Sequence, residues 1–67
     1  MKRRGKKETA AFIKGVRASL RLTQQELANR IDVKRYNIAK YETGATTPPG
    51  DVVLEIIRLM ESNSIEL

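Results

Sequence analysis

Residues 23–44, TQQELANRIDVKRYNIAKYETG, carry helix punctuation so closely spaced that few folds remain open to the chain. Thr23 and Glu26 form a T-x-x-E capping box, in which each side chain bonds the other's orphan backbone N–H at a helix start. Leu22 and Leu27 stand at the two positions of a hydrophobic staple around that cap. Leu27, Ala28 and Ile31 then give one buried face, and Asp32-Val33 follows as a tight connection. A further helix over Arg35–Thr43 buries Ile38 and Tyr41 and stops at Gly44, the residue best suited to a left-handed C′ position. Helices this short are marginal alone, so both must pack against something.

The flanks supply the partners. A first helix begins near Glu8 or Thr9, with a carboxylate near its positive end. Phe12, Ile13, Val16 and Leu20 form its apolar stripe, while Lys14 and Arg21 face outward. Ala45 to Pro49 is a loop, because two successive prolines cannot continue a helix. A fourth helix over about 50–61 is apolar around much of its circumference. We expect Val53, Leu54, Ile57 and Met60 to cover the core and Val52, Ile56 and Leu59 to form an adjacent stripe. The expected fold is all-α, a compact four-helix domain over 8–62, with at most a short extra turn at the C-terminal end. A flexible basic arm over 1–7 (Lys2, Arg3, Arg4, Lys6, Lys7) precedes it, and a tail over 63–67 follows, with Ile65 and Leu67 its only apolar anchors.

Composition narrows the chemistry. Sixty-seven residues make one domain with a small core. With no cysteine and no histidine there is no disulfide framework and no thiolate or imidazole metal site, and no cofactor is expected. The carboxylates are not clustered, and GATTPPG is a proline linker rather than a phosphate cradle, so enzymatic chemistry is not expected. Phe12, Tyr36 and Tyr41 are too few aromatics for a base-stacking platform. Charge is divided: residues 1–50 hold twelve of the thirteen Lys and Arg against four acids, net +8, and residues 51–67 are net −3. Such a division suggests one face for a polyanion and another for protein. MKRRGKKE lacks the apolar run of a signal peptide, and VVLEIIRLM is too short and charged to span a bilayer, which leads us to expect a cytoplasmic protein without a membrane partner.

Several positions agree at fixed spacing with one family. Arg17, the L-T-Q-x-E-L-A run from Leu22 to Ala28, Ile31, Val33, Ile38, the Tyr41-Glu42-x-Gly44 segment and Pro48 resemble the phage repressor and Cro-type (XRE-like) helix-turn-helix family. The resemblance covers residues 13 to about 60. It implies sequence-specific binding of double-stranded DNA by a small repressor-like regulator that reads the major groove with helix 34–43, the motif itself spanning 23–43. By this resemblance Gln24 bonds the DNA backbone and braces a recognition side chain, Ala28 lets helices two and three cross closely, and Arg17 pairs with Glu42 to lock the recognition helix to the body. Two positions depart from the family. Asp32 stands where glycine is usual and positive φ is needed, and Lys34 replaces a Ser or Thr N-cap. A phosphate or guanine in the complex would compensate Lys34; an imperfect cap in a small domain is the plain alternative.

The base-reading positions align with Lys34, Arg35, Tyr36 and Lys40. Arg35 suits guanine, because a guanidinium bonds O6 and N7 together. Lys40 suits a second guanine or a phosphate, Tyr36 a thymine methyl, and Asn37 an adenine or a phosphate oxygen. Arg21, Arg30, Thr43 and Thr46 lie where phosphates pass, although a solvated face serves Arg21 and Arg30 equally well. The basic arm either clamps the DNA or speeds encounter without sequence preference. The stripe Val52, Ile56, Leu59 would make a homodimer that sets two recognition helices on a near-palindromic operator; Ile65 and Leu67 folding back over it is the other solution. A different class of function also fits: an antitoxin that binds a toxin through its acidic C-terminal part and autoregulates through the same motif.

Overall fold

A computed structural model describes residues 6–63, with the backbone alone at Lys6. Four helices follow in order: α1 (Lys6–Ser19), α2 (Gln24–Arg30), α3 (Arg35–Thr43) and α4 (Gly50–Ser62). No strand occurs among the described residues. Helix α3 packs against both α1 and α2, and α4 packs against α1. The core is aliphatic with one tyrosine: Ile13 and Val16 from α1, Leu27 and Ala28 from α2, Ile31, Ile38 and Tyr41, and Val52 and Ile56 from α4.

Helix α1 starts at Lys6, earlier than the expected Glu8 or Thr9, so Lys6 and Lys7 belong to a helix and not to the basic arm. Residues 1–5 of that arm and residues 64–67 of the tail lie outside the described residues. The capping box of α2 is complete: Glu26 N–H donates to Thr23 Oγ1 at 3.0 Å, and Thr23 N–H donates to Glu26 Oε1 at 2.8 Å.

Three helices end on one device, a left-handed residue that turns the chain and returns an N–H to the last turn. At Gly44 (φ 80°) the Ala45 N–H reaches the Lys40 carbonyl at 3.0 Å. Asp32 has φ 58°, and the next N–H, Val33, reaches Ala28 O at 2.9 Å. Arg21 has φ 57°, with Leu22 N–H on Arg17 O and Arg21 N–H on Ala18 O, both at 3.0 Å. The Asp32 geometry accords with its place at a position that usually carries glycine. Arg21 has no such local signal, and only the three-residue span between Ser19 and Thr23 demands the sharp reversal.

The inward face of α4 differs from the expectation. Val52 and Ile56 are buried, Ile56 completely, whereas Leu54 is 47% exposed. Leu59 and Met60 pack at the edge of the core. The stripe Val52, Ile56, Leu59 is therefore mainly core and not a free surface, because Val52 and Ile56 join the same cluster as the buried residues of the other three helices and Leu59 packs against it. Val53 and Ile57 instead line, with Glu8, Thr9 and Phe12, an open groove of about 350 Å³ between α1 and α4.

Candidate nucleic-acid interface

The outer edge of α3 starts at a helix end that no side chain caps. Lys34 is the N-cap residue, with extended backbone and no side-chain hydrogen bond to the helix. Lysine offers no acceptor there and sets a cation against the positive end of the helix dipole. Lys34, Arg35 and Tyr36 are all exposed, Tyr36 at 64%, while Asn37 and Lys40 are half-buried. Lys40 Nζ sits 4.9 Å from the centroid of the Tyr36 ring and 3.4 Å from its hydroxyl oxygen. One helical turn separates the pair, so the cation lies along the aromatic face and the two present a joint surface.

Behind this edge lies a chain of polar contacts that reaches the protein body. Arg17 of α1 donates from Nε to Glu42 Oε2 at 2.6 Å and from a terminal nitrogen to Glu42 Oε1 at 3.0 Å. Its remaining terminal nitrogen donates to the Leu22 carbonyl at 2.9 Å. One guanidinium thus ties together α1, the α1–α2 turn and α3. Glu42 has a side chain only 3% exposed. Burial pushes its carboxyl upward, but the hydrogen bonds from Arg17 and Gln24 outweigh that, and its pKa falls below the ordinary value. The Arg17 guanidinium is correspondingly raised by its hydrogen bond to Glu42.

Gln24, in the first turn of α2, extends the chain outward. Its Nε2 donates to Glu42 Oε1 at 3.1 Å, and its Oε1 accepts from an Arg35 terminal nitrogen at 3.4 Å. Gln24 and Arg35 are therefore brought together, as are Tyr36 and Lys40. Arg21 and Arg30 are exposed and share no hydrogen bond with these groups among the described residues. Thr43 donates to the Lys40 carbonyl at 3.1 Å, which seats its hydroxyl on α3's last turn; Thr46 is half-buried beyond it. Ala28 is fully buried in the core.

Two links go beyond what the sequence suggested. The Gln24–Glu42 bond joins residues eighteen apart with no local pattern to announce it. The Tyr36–Lys40 pair did carry a signal, an aromatic and a cation at i,i+4 on one helix. Among the described residues no cluster of His, Cys, Asp or Glu could hold a metal ion, and no helix is long and apolar enough to cross a membrane.

A capped seven-residue helix, a turn through a left-handed residue, and a nine-residue helix with an exposed cationic edge define a helix-turn-helix domain. The helix-turn-helix family model matches residues 13–67, and the chain belongs to that family, of the Cro/C1 (XRE) type. It is a DNA-binding regulator that acts on double-stranded DNA. No curated protein matches it.

Proposed function

We propose that the protein is a small repressor-like regulator that reads a specific operator through Lys34, Arg35, Tyr36 and Lys40. The observation that carries this reading is the exposed edge of α3, on which Arg35 is held by Gln24 and Lys40 lies over Tyr36. Arg35 donates to a guanine, and the Tyr36–Lys40 pair meets a thymine methyl and a neighbouring guanine or phosphate. Gln24, Asn37, Arg21, Arg30, Thr43 and Thr46 contact the backbone, and Lys2, Arg3 and Arg4 add electrostatic attraction. The uncapped N-terminus of α3 together with Lys34 favours a phosphate at that end.

Selection of bound duplexes from a random pool at fixed salt tests the reading. The expected result is an enriched motif with two-fold symmetry. Arg35→Ala should then lose about 1–3 kcal/mol and relax preference at one base pair. Equal loss on the selected and a random duplex would remove Arg35 from base reading.

The symmetric motif follows from a homodimer formed through α4. Leu54 and the groove beside Val53 and Ile57 support this, in place of the buried Val52 and Ile56. Sedimentation at rising concentration should show the dimer, and Leu54→Glu should weaken it. A second reading, the antitoxin, rests on the −3 charge of residues 51–67. A basic toxin co-purifying with the chain in its native cell would favour it.

A further inference from the structure

The Gln24 side chain lies between two groups that each permit one kind of contact. Glu42, ionised and held by Arg17, only accepts hydrogen bonds, and the Arg35 guanidinium only donates them. An amide has one accepting and one donating end, so a single orientation satisfies both neighbours. That orientation is the one found, with Nε2 toward Glu42 at 3.1 Å and Oε1 toward Arg35 at 3.4 Å.

We propose that Glu42 is a specificity-positioning residue: through Gln24 it fixes which end of the amide faces Arg35, and so aims the reading side chain before DNA arrives. Glu42 is buried on the body side of α3 and need touch no nucleotide to do this. Were the amide reversed, its NH2 would meet the Arg35 donors and push the guanidinium away. The Arg35 contact is long at 3.4 Å and exposed, so it guides the side chain without holding it back from a base. Arg17 is the outermost brace of the set, because its two bonds to Glu42 keep the carboxylate ionised and in place. The proposal rests on Arg35 reading a base, and two measurements separate its failure from failure of that reading.

The first uses the free, full-length protein and involves no DNA. The two Gln24 side-chain amide protons should give distinct NMR signals displaced from free-amide positions. In Glu42→Gln the fixed direction is lost, because the substituted amide both donates and accepts. The Gln24 signals should then move toward free-amide values while Arg35 Nε–H becomes more mobile. Gln24→Met leaves the Arg17–Glu42 bonds intact and should mobilise Arg35 equally, which covers the case in which Glu42→Gln does not fold. Unchanged Arg35 mobility in Gln24→Met would overturn the proposal.

The second measurement compares a selected operator with the same operator changed only at the Arg35 base pair. Glu42→Gln should lower that discrimination on the order of threefold, the worth of one modest hydrogen bond, while affinity for random duplex and its salt slope stay the same. Combined with Gln24→Met, Glu42→Gln should cost no further discrimination. Equal loss on every duplex, or losses that multiply independently, would overturn the positioning role. A positive NMR result with no base-pair effect from Arg35→Ala itself would instead refute Arg35 as a base reader and this role with it.

Discussion

Arg21 and Asp32 hold φ angles of 57° and 58°, a region L-residues with a Cβ enter at a cost of roughly 1–2 kcal/mol. Both sit at helix ends whose carbonyls are satisfied only if the chain turns left-handed there, so the bonds on Arg17 O and Ala28 O compensate the strain. Asp is more tolerant of the conformation than Arg. Arg21→Gly should therefore stabilise the protein by about 0.5–1 kcal/mol, the relief of strain exceeding glycine's extra freedom in the unfolded chain. Urea unfolding measures it, and a destabilised variant would mean that the Arg21 side chain contributes more than its backbone costs. Lys34 presents the same kind of local cost with a different reward. Supplying the missing cap with Lys34→Ser should add about 1 kcal/mol to the stability of the free protein and weaken its DNA binding. Thermal unfolding paired with a binding isotherm checks both signs, and a variant that gains stability with no loss of affinity would reduce Lys34 to an imperfect cap.

At the scale of elements, α3 is anchored by one ion pair and α4 by its choice of face. Arg17 and Glu42 share a bidentate contact away from solvent, so Arg17→Ala strands a buried carboxylate and should cost on the order of 3 kcal/mol. The exposed Glu55–Arg58 pair on α4, 3.0 Å apart, should contribute less than about 1 kcal/mol. Because the folded-state pKa of Glu42 lies below its ordinary unfolded value, its stabilisation is complete above that unfolded value and fades as pH falls through the lowered folded one. Acid titration of stability should show this loss in the native chain and a shallower one in Glu42→Gln. For α4, Ile56→Ala should cost about 2–5 kcal/mol and Leu54→Ala far less, an order that reverses if Leu54 faces the core. The contrast between these helices explains what could be read in the sequence. The start of α2 and the end of α3 were legible because Thr23, Glu26 and Gly44 act on their own neighbours. The register of α4 was not, because Val52, Val53, Leu54, Ile56 and Ile57 are chemically near-equivalent and only packing into the shared core selects among them. The Arg17–Glu42 tie was legible through family resemblance, whereas Gln24's link to Glu42 depends on how α2 and α3 meet in space.

Over the whole molecule, the net +8 of residues 1–50 and −3 of residues 51–67 give the chain a basic balance that favours a polyanion. Binding to a polyanion is driven largely by counterion release, with each phosphate neutralised adding about 0.9 to the slope of log affinity against log salt. The three charges at Lys2, Arg3 and Arg4 lie outside the described residues and contribute to the basic balance of residues 1–50. Replacing these three with serine should lower the slope by up to about 2.7 on both specific and random duplex, leaving the ratio of the two affinities unchanged. The exposed Glu61, near the end of α4, belongs to the acidic segment of residues 51–67 and is not among the residues assigned to DNA. Glu61→Gln should leave the slope as it is. Titrations of both variants across about 50–200 mM salt decide the matter, that range being the one over which phosphate contacts are most visible. An unchanged slope in the serine variant would confine the electrostatic footprint to the helices, and a change in the specific-to-random ratio would mean that the N-terminal charges read DNA shape as well.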